Sequence, residues 1–222
     1  MDKFEEENDL IKQINALFMS QNLNDPNLYR AINTAISQLD NHDQMILHSQ
    51  LTEKALNNLH FLIEHLLLNK EVKEHLLYRY YHLKITSDMI ILGNDLFNQL
   101  CNDYAKYQYV SLESIFVLLI KNDNISNEQA IKLTEMFGEK KAIKKQLISF
   151  KARQKVKENR KLDKEDVMTL LEWNLYSNIE DALAKSLVLI DALQLFKKPS
   201  VNEKDKRHKD RLYQTAQSLL RE

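Results

Sequence analysis

Gly93 and Gly138 are the only glycines in this 222-residue chain, and Pro26 and Pro199 are the only prolines. At ordinary usage of about 7% Gly and 5% Pro, such a chain would carry roughly fifteen and eleven. Sheet proteins need Gly, Asn-Gly or Pro at their tight turns. Dinucleotide folds and P-loop sites need several glycines so that backbone can approach phosphate. Two isolated glycines supply neither, so β-barrels, sandwiches, dinucleotide folds and P-loop NTPases are all but excluded. The fold class expected is all-α: one helical bundle of about nine or ten helices over residues 1–198. A charged linker and a short C-terminal helix follow over 199–222.

The apolar spacing places the helices. Ile11, Ile14, Leu17 and Phe18 mark a first helix over roughly 4–20. Asp25-Pro26 is an N-cap followed by proline at the first helical position. Leu28, Ile32, Ala35, Ile36 and Leu39 are the buried stripe of that second helix. A turn at 40–43 leads into one long third helix, about 44–68, and a fourth over 70–83. Thr86, Ser87 and Asp88 offer caps for a fifth helix through Leu96, Leu100 and Tyr104. Ser111 is expected to cap the very apolar segment SLESIFVLLI, whose all-round apolarity predicts full burial. Ser126 with Gln129 reads as a capping box for a helix ending near Gly138. A basic helix covers about 139–158. Asp163 and Asp166 open a long apolar helix through Leu193, and Leu212, Ala216 and Leu219 mark the last.

Charge and cysteine usage bound the setting. The net charge is −1, so no global field draws the chain to nucleic acid. The single cysteine, Cys101, fits a reducing compartment. The acidic start MDKFEEEND has no apolar core of a signal peptide. The longest apolar run, Ile115 to Ile120, is far short of the ~20 residues of a membrane span. A cytoplasmic, soluble protein is expected.

No constellation of catalytic residues emerges. Helical metal sites want Glu-x-x-His or paired His at i and i+4. His42, His48, His60, His65, His75, His82 and His208 offer neither, although His75 and His82 could share a face. Cys101 reads as a buried structural thiol. Glu165-Asp166 and Glu180-Asp181 are adjacent pairs facing apart, so no magnesium–diphosphate cluster forms. No cofactor is expected, and the chain is read as not catalytic alone. Over residues 139–164, Lys and Arg outnumber acids by 11 to 3. The default reading is a solvated face on a packed helix. The alternative is contact with a polyanion, nucleic acid or acidic partner through Lys140, Lys141, Lys144 and Lys145, although aromatics for base stacking are nearly absent. Tyr78, Tyr80 and Tyr81, then Tyr104, Tyr107 and Tyr109, are either interface aromatics or helix-end packing.

Three segments resemble the trans-polyprenyl diphosphate synthases. Residues 55–65, ALNNLHFLIEH, are similar to the family's "ALELIHxASLxHDD" helix. Ile90 to Phe97, IILGNDLF, is similar to its "AILAGDYLF" helix at close to the family interval. Asp166 to Glu172, before an apolar helix, is similar to its "DYLxxIxxKTAxLF" segment. The departures are chemical. Leu66-Leu67-Leu68-Asn69 stands where the Asp-rich magnesium motif belongs, and the arginine pair after it is missing. Asn174-Leu175 falls where the Lys-Thr pair would be, and the second Asp-rich motif is absent. The interval from Gly93 to Asn174 is also longer than usual. This pattern resembles the noncatalytic small subunit of two-component heptaprenyl diphosphate synthases, and Asp25 to Tyr29 resembles the His-Pro-Tyr-Leu opening of some of these. The resemblance spans about residues 25–195. It implies a catalytic partner subunit that binds magnesium and both diphosphates in isoprenoid-quinone side-chain synthesis, as for menaquinone. This chain would pack helix against helix on that partner and help set the product tunnel. Leu96, Phe97, Leu100 and Tyr104 would form the interface; the rival role for them is core.

Overall fold

The computed structural model describes residues 3–86, 91–158, 160, 194 and 202–219. It is all-α, as the scarcity of glycine and proline requires. Among the described residues there are eleven α-helices and no strand. The chain divides into two compact units, Met1–Leu119 and Ile120–Glu222. The expected boundary at 198/199 and the apolar helix expected over 163–193 lie outside the described residues.

In unit 1, α1 (Lys3–Phe18) packs on α2 (Pro26–Ser37). Asp25 caps α2 as the sequence indicates, its carboxylate accepting from the Asn27 N–H at 2.9 Å. The stripe Leu28, Ile32, Ala35 and Ile36 is buried. Asp40 does the same for α3 (Asn41–Gln50), accepting from the Asp43 N–H.

The single helix expected over 44–68 is instead broken. Helix α3 stops at Gln50. It is followed by α4 (Glu53–Leu56), α5 (Leu59–Leu62) and a 3-10 turn, Ile63–His65. The cause is a set of polar side chains reaching in from other helices. Asn15 of α1 accepts from the Thr52 N–H at 2.7 Å and donates to the Gln50 carbonyl at 3.3 Å. Asn33 of α2 accepts from the Leu67 N–H and donates to the His65 carbonyl, both at 2.8 Å. Each amide thus replaces the partner that a continuing helix would have supplied. Between each clamped pair lies an extended, buried leucine, Leu51 or Leu66. Asn58 adds a bond to the Phe18 carbonyl at 2.8 Å.

Helix α6 (Lys70–Thr86) crosses α3, α4 and α5 and buries Val72, Leu76, Leu77 and Tyr81. Of the caps expected for the next helix, Thr86 belongs to α6, and Ser87 and Asp88 lie outside the described residues. That helix, α7 (Asn94–Tyr107), starts at Gly93, which makes no side-chain cap. Helix α8 (Val110–Lys121) begins one residue before the expected cap, Ser111, whose N–H bonds the Glu74 carboxylate at 2.9 Å. Its burial is one-sided: Leu112, Ile115, Phe116, Leu119 and Ile120 are buried, whereas Val117 and Leu118 are half-buried.

In unit 2, α9 (Asn127–Phe137) carries the complete Ser126–Gln129 capping box and packs on α10 (Lys141–Lys157). The charged stretch from Glu203 is helical rather than linker, forming α11 (Glu203–Leu219). Asn202 caps it, accepting from the Asp205 N–H at 2.9 Å.

If Asn33 holds the turn at Leu66, Asn33→Ala leaves one carbonyl and one N–H of that turn without their partner. A loss of about 2 kcal/mol in unfolding free energy is expected from urea titration. Asn33→Asp keeps the acceptor but sets a carboxylate against the His65 carbonyl, and should be no milder.

Candidate functional site

Helix α7 carries the residues named for a partner contact. Phe97 and Leu100 are fully buried in unit 1. Leu96 is half-buried. Tyr104 is half-buried too, its hydroxyl donating to Glu113 Oε1 at 2.8 Å and its ring edge-on to Phe116 at 5.9 Å. The apolar stripe of α7 is therefore used within unit 1. Cys101 is buried beside it.

The same helix buries an acid that sequence reasoning missed. Asp103 is 7% exposed and accepts from the Tyr81 hydroxyl of α6 at 2.5 Å. His60 Nδ1 stands 3.8 Å from the same carboxylate oxygen, too far for a hydrogen bond, and has no hydrogen-bond partner among the described residues. Glu64 and Lys106 pair at 2.7 Å nearby. Burial pushes the Asp103 carboxyl above its ordinary range, while the Tyr81 hydrogen bond and His60 pull the other way. Burial and the bond to Asp103 also push the Tyr81 phenol upward. The cluster ties α6, α7 and the broken segment 59–65 together. One signal was present: Asp103 falls three residues after Leu100, on the buried face.

The basic helix presents Lys140, Lys141, Lys144 and Lys145 at the surface, and Lys151 further along. Its opposite side buries Ile143, Leu147 and Phe150. Two of its cations are structural. Arg153 is 4% exposed and reaches Asp123 Oδ1 through Nε at 3.0 Å and Nη2 at 2.6 Å. It also donates to Ser149 Oγ and the Ile120 carbonyl. Lys157 holds the other oxygen of Asp123 at 2.9 Å. Burial alone would raise the Asp123 carboxyl; the bonds from Arg153 and Lys157 outweigh it and bring it below its ordinary range.

Formal charge separates along the chain. Unit 1 has 9 Lys+Arg against 16 Asp+Glu, a net −7, and unit 2 has 22 against 16, a net +6. The overall −1 conceals this division.

Four other histidines pack against aromatic or imidazole rings. His65 stacks on Tyr29 at 3.8 Å and His48 on His75 at 4.9 Å. His82 lies against Tyr78, so His75 and His82 do not converge. Among the described residues no three His, Cys, Asp or Glu side chains could hold a metal ion together. Among them also, no helix is long and apolar enough to cross a membrane. Glu165-Asp166, Asn174-Leu175 and Glu180-Asp181 lie outside the described residues.

Large apolar side chains are exposed where segment 60–70 meets residues 103–111. Phe61 is 58% exposed, Leu67 83% and Val110 70%. The Glu64–Lys106 pair joins the two sides, Lys106 lies over Tyr107, and Lys70 lies over Tyr109, which stacks on Tyr107. The aromatics at 107 and 109 thus pack among lysines along this seam. Comparison with family models, curated proteins and solved structures finds no match to the chain.

Asp103 sets a testable pH response. An acid whose folded pKa is raised contributes stability below its ordinary pKa and loses it as pH rises through the folded value. Asp103→Asn keeps an acceptor for Tyr81 and removes the buried charge. Its unfolding free energy should gain on wild type as pH rises from about 4 to 7. Asp103→Ala strands the buried Tyr81 hydroxyl and should cost about 2 kcal/mol at neutral pH.

Proposed function

We propose that this chain is a noncatalytic helical binding subunit, and that unit 1 docks a helical protein partner along the seam at Phe61, Leu67 and Val110. The observation that carries this reading is the exposure of those three side chains from an ordered backbone. Leu67 is the clearest case: its N–H is held by Asn33, yet its side chain is in water. The three side chains stand on segments joined by the Glu64–Lys106 pair and the Lys70–Tyr109 contact; exposed apolar side chains favour association, and a few anchors usually supply most of an interface's affinity. The resemblance of residues 25–195 points to the catalytic subunit of a long-chain polyprenyl diphosphate synthase as the partner, in isoprenoid-quinone side-chain synthesis. Phe97 and Leu100 would then support the interface from within rather than touch the partner. Co-expression with candidate synthases tests this. The chain should copurify with one and prenyl transfer should depend on it. The triple variant Phe61→Asp, Leu67→Asp, Val110→Asp should keep its helical circular dichroism and lose the partner. Copurification undiminished in that variant, or no synthase retained by the wild type, overturns the reading.

A second reading rests on the charge division and the exposed lysines of α10. Here the chain is an adaptor or regulator whose basic helix contacts an acidic partner or nucleic acid. Charge reversal at Lys140, Lys141, Lys144 and Lys145 should abolish such binding. Binding in wild type should weaken linearly in log–log salt titration, and a salt-independent affinity would count against it.

A further inference from the structure

Helices α3 and α6 meet across two imidazoles. His48 of α3 and His75 of α6 stack with ring centroids 4.9 Å apart and planes 22° from parallel. Arg79, one turn beyond His75 on α6, donates from its guanidinium to the His48 carbonyl. All three side chains are half-buried, and Leu47, Val72 and Leu76 of the same helices are buried. His48 Nδ1 lies 3.3 Å from the Met45 carbonyl, a contact that a proton on that nitrogen satisfies. The charged neighbours that act on His48 among the described residues are His75 and Arg79, with no acid beside them. Glu53 of α4 acts on Arg79 instead. Of the other acids on the two helices, Glu74 is bonded to the Ser111 N–H, Asp43 lies in the first turn of α3, and Glu71 is exposed one turn before His75. His60 of α5, which also packs on α6, faces Asp103. Burial, then His75 and Arg79, push the His48 imidazole below its ordinary range, against the pull of the Met45 carbonyl. A base lowered in this way is neutral in both states above about pH 6.5. As pH falls below that value the unfolded chain takes up the proton first, and the stability of the contact is lost.

We propose that the His48–His75 stack is an acid-sensitive latch between α3 and α6, closed while both rings are neutral and opened by their protonation in mild acid. Histidine is the side chain whose ordinary titration falls between pH 5 and 8. Two imidazolium rings at this separation repel each other, and the Arg79 guanidinium adds a third positive charge at the same turn. Each ring also regains hydration by leaving the contact. Arg79 stays protonated throughout, so the titrating step belongs to the histidine pair. Asp103 responds in the opposite sense, because its raised carboxyl favours the folded state in acid. The latch uses none of Phe61, Leu67, Val110 or the lysines of α10, so it stands or falls separately from both readings above.

Two measurements on the full chain test it: imidazole titration by NMR, and amide hydrogen exchange at about pH 7 and pH 5, corrected for the intrinsic rate. His48 should titrate below about 6.5. Its midpoint should rise in His75→Phe, which removes the facing charge, and in Arg79→Gln, which keeps a donor for the His48 carbonyl. Protection of the α3 and α6 amides should fall about fivefold between the two pH values, with a smaller change in α9 and α10. The variant His48→Phe/His75→Phe keeps two rings and leaves nothing to titrate, so it should lose most of that fall. His82→Phe alters a histidine of α6 outside the stack and should leave the fall as in wild type. The proposal is overturned by a His48 midpoint at or above about 6.5. It is overturned equally if the double phenylalanine variant responds to acid as the wild type does, or if His82→Phe has as large an effect as that variant. Should the double variant fail to fold, His75→Gln takes its place and must both raise the His48 midpoint and reduce the fall in protection.

Discussion

A helix that ends inside a protein leaves carbonyl and N–H groups that need new partners, and segment 44–68 leaves its helical path for a buried, extended leucine twice, at Leu51 and at Leu66. Both times the partner is the side-chain amide of an asparagine on another helix. Asn15 spans residues 50 and 52, and Asn33 spans residues 65 and 67. An amide presents one acceptor and two donors at the spacing of a neighbouring peptide group. It can therefore stand in for backbone on either side of an extended residue. The two leucines between the clamps are buried, so the polar clamp and the apolar core fix the same turn. Thr52 adds a local cap after the first break, its hydroxyl oxygen accepting from the Ala55 N–H at 3.2 Å, whereas the apolar periodicity of segment 44–68 is helical throughout.

This explains which parts of the fold were legible in the sequence. The starts of α2 and α9 depend on groups two or three residues apart, and Asp25-Pro26 and Ser126–Gln129 announce them locally. The breaks at Leu51 and Leu66 depend on Asn15 and Asn33, more than thirty residues away, and no local pattern registers such partners. The same distance hid Asp103. Its place on the stripe of α7 was visible, but Tyr81, which makes its burial tolerable, is on another helix. The C-terminal charge run misled for the opposite reason. It looks like linker by composition, yet an Asn202 cap and the Asp205–Lys209 pair at i and i+4 are ordinary local helix supports.

The candidate surfaces were legible only in part. Lysine spacing at 140–145 indicated an exposed basic face, and those side chains are exposed. The cation that turned inward, Arg153, could not be separated from the rest by composition, because its partner Asp123 is a loop residue thirty positions earlier. Conversely, the α7 stripe is apolar whether it faces a partner or its own core, and periodicity cannot distinguish the two. Exposure separates them: Phe97 and Leu100 are buried, whereas Phe61, Leu67 and Val110 are exposed.

The scarcity of glycine bears on all of these. Neither glycine uses the backbone freedom that distinguishes it: Gly93 and Gly138 have φ of −57° and −50°. The left-handed positions among the described residues are Gln108 and Asp123 instead. A side chain in that region costs roughly 1–2 kcal/mol, so something must hold each in place. At Gln108 it is the N–H bond back to the Tyr104 carbonyl at 2.8 Å, which closes α7. At Asp123 it is the side chain, held by Arg153 and Lys157, which glycine could not supply. Among the described residues, the turns at Leu51, Leu66 and Asp123 are therefore made by polar side chains with distant partners. Each such turn is an extra tie between segments, which lets a helical chain bend where its apolar pattern alone would run straight.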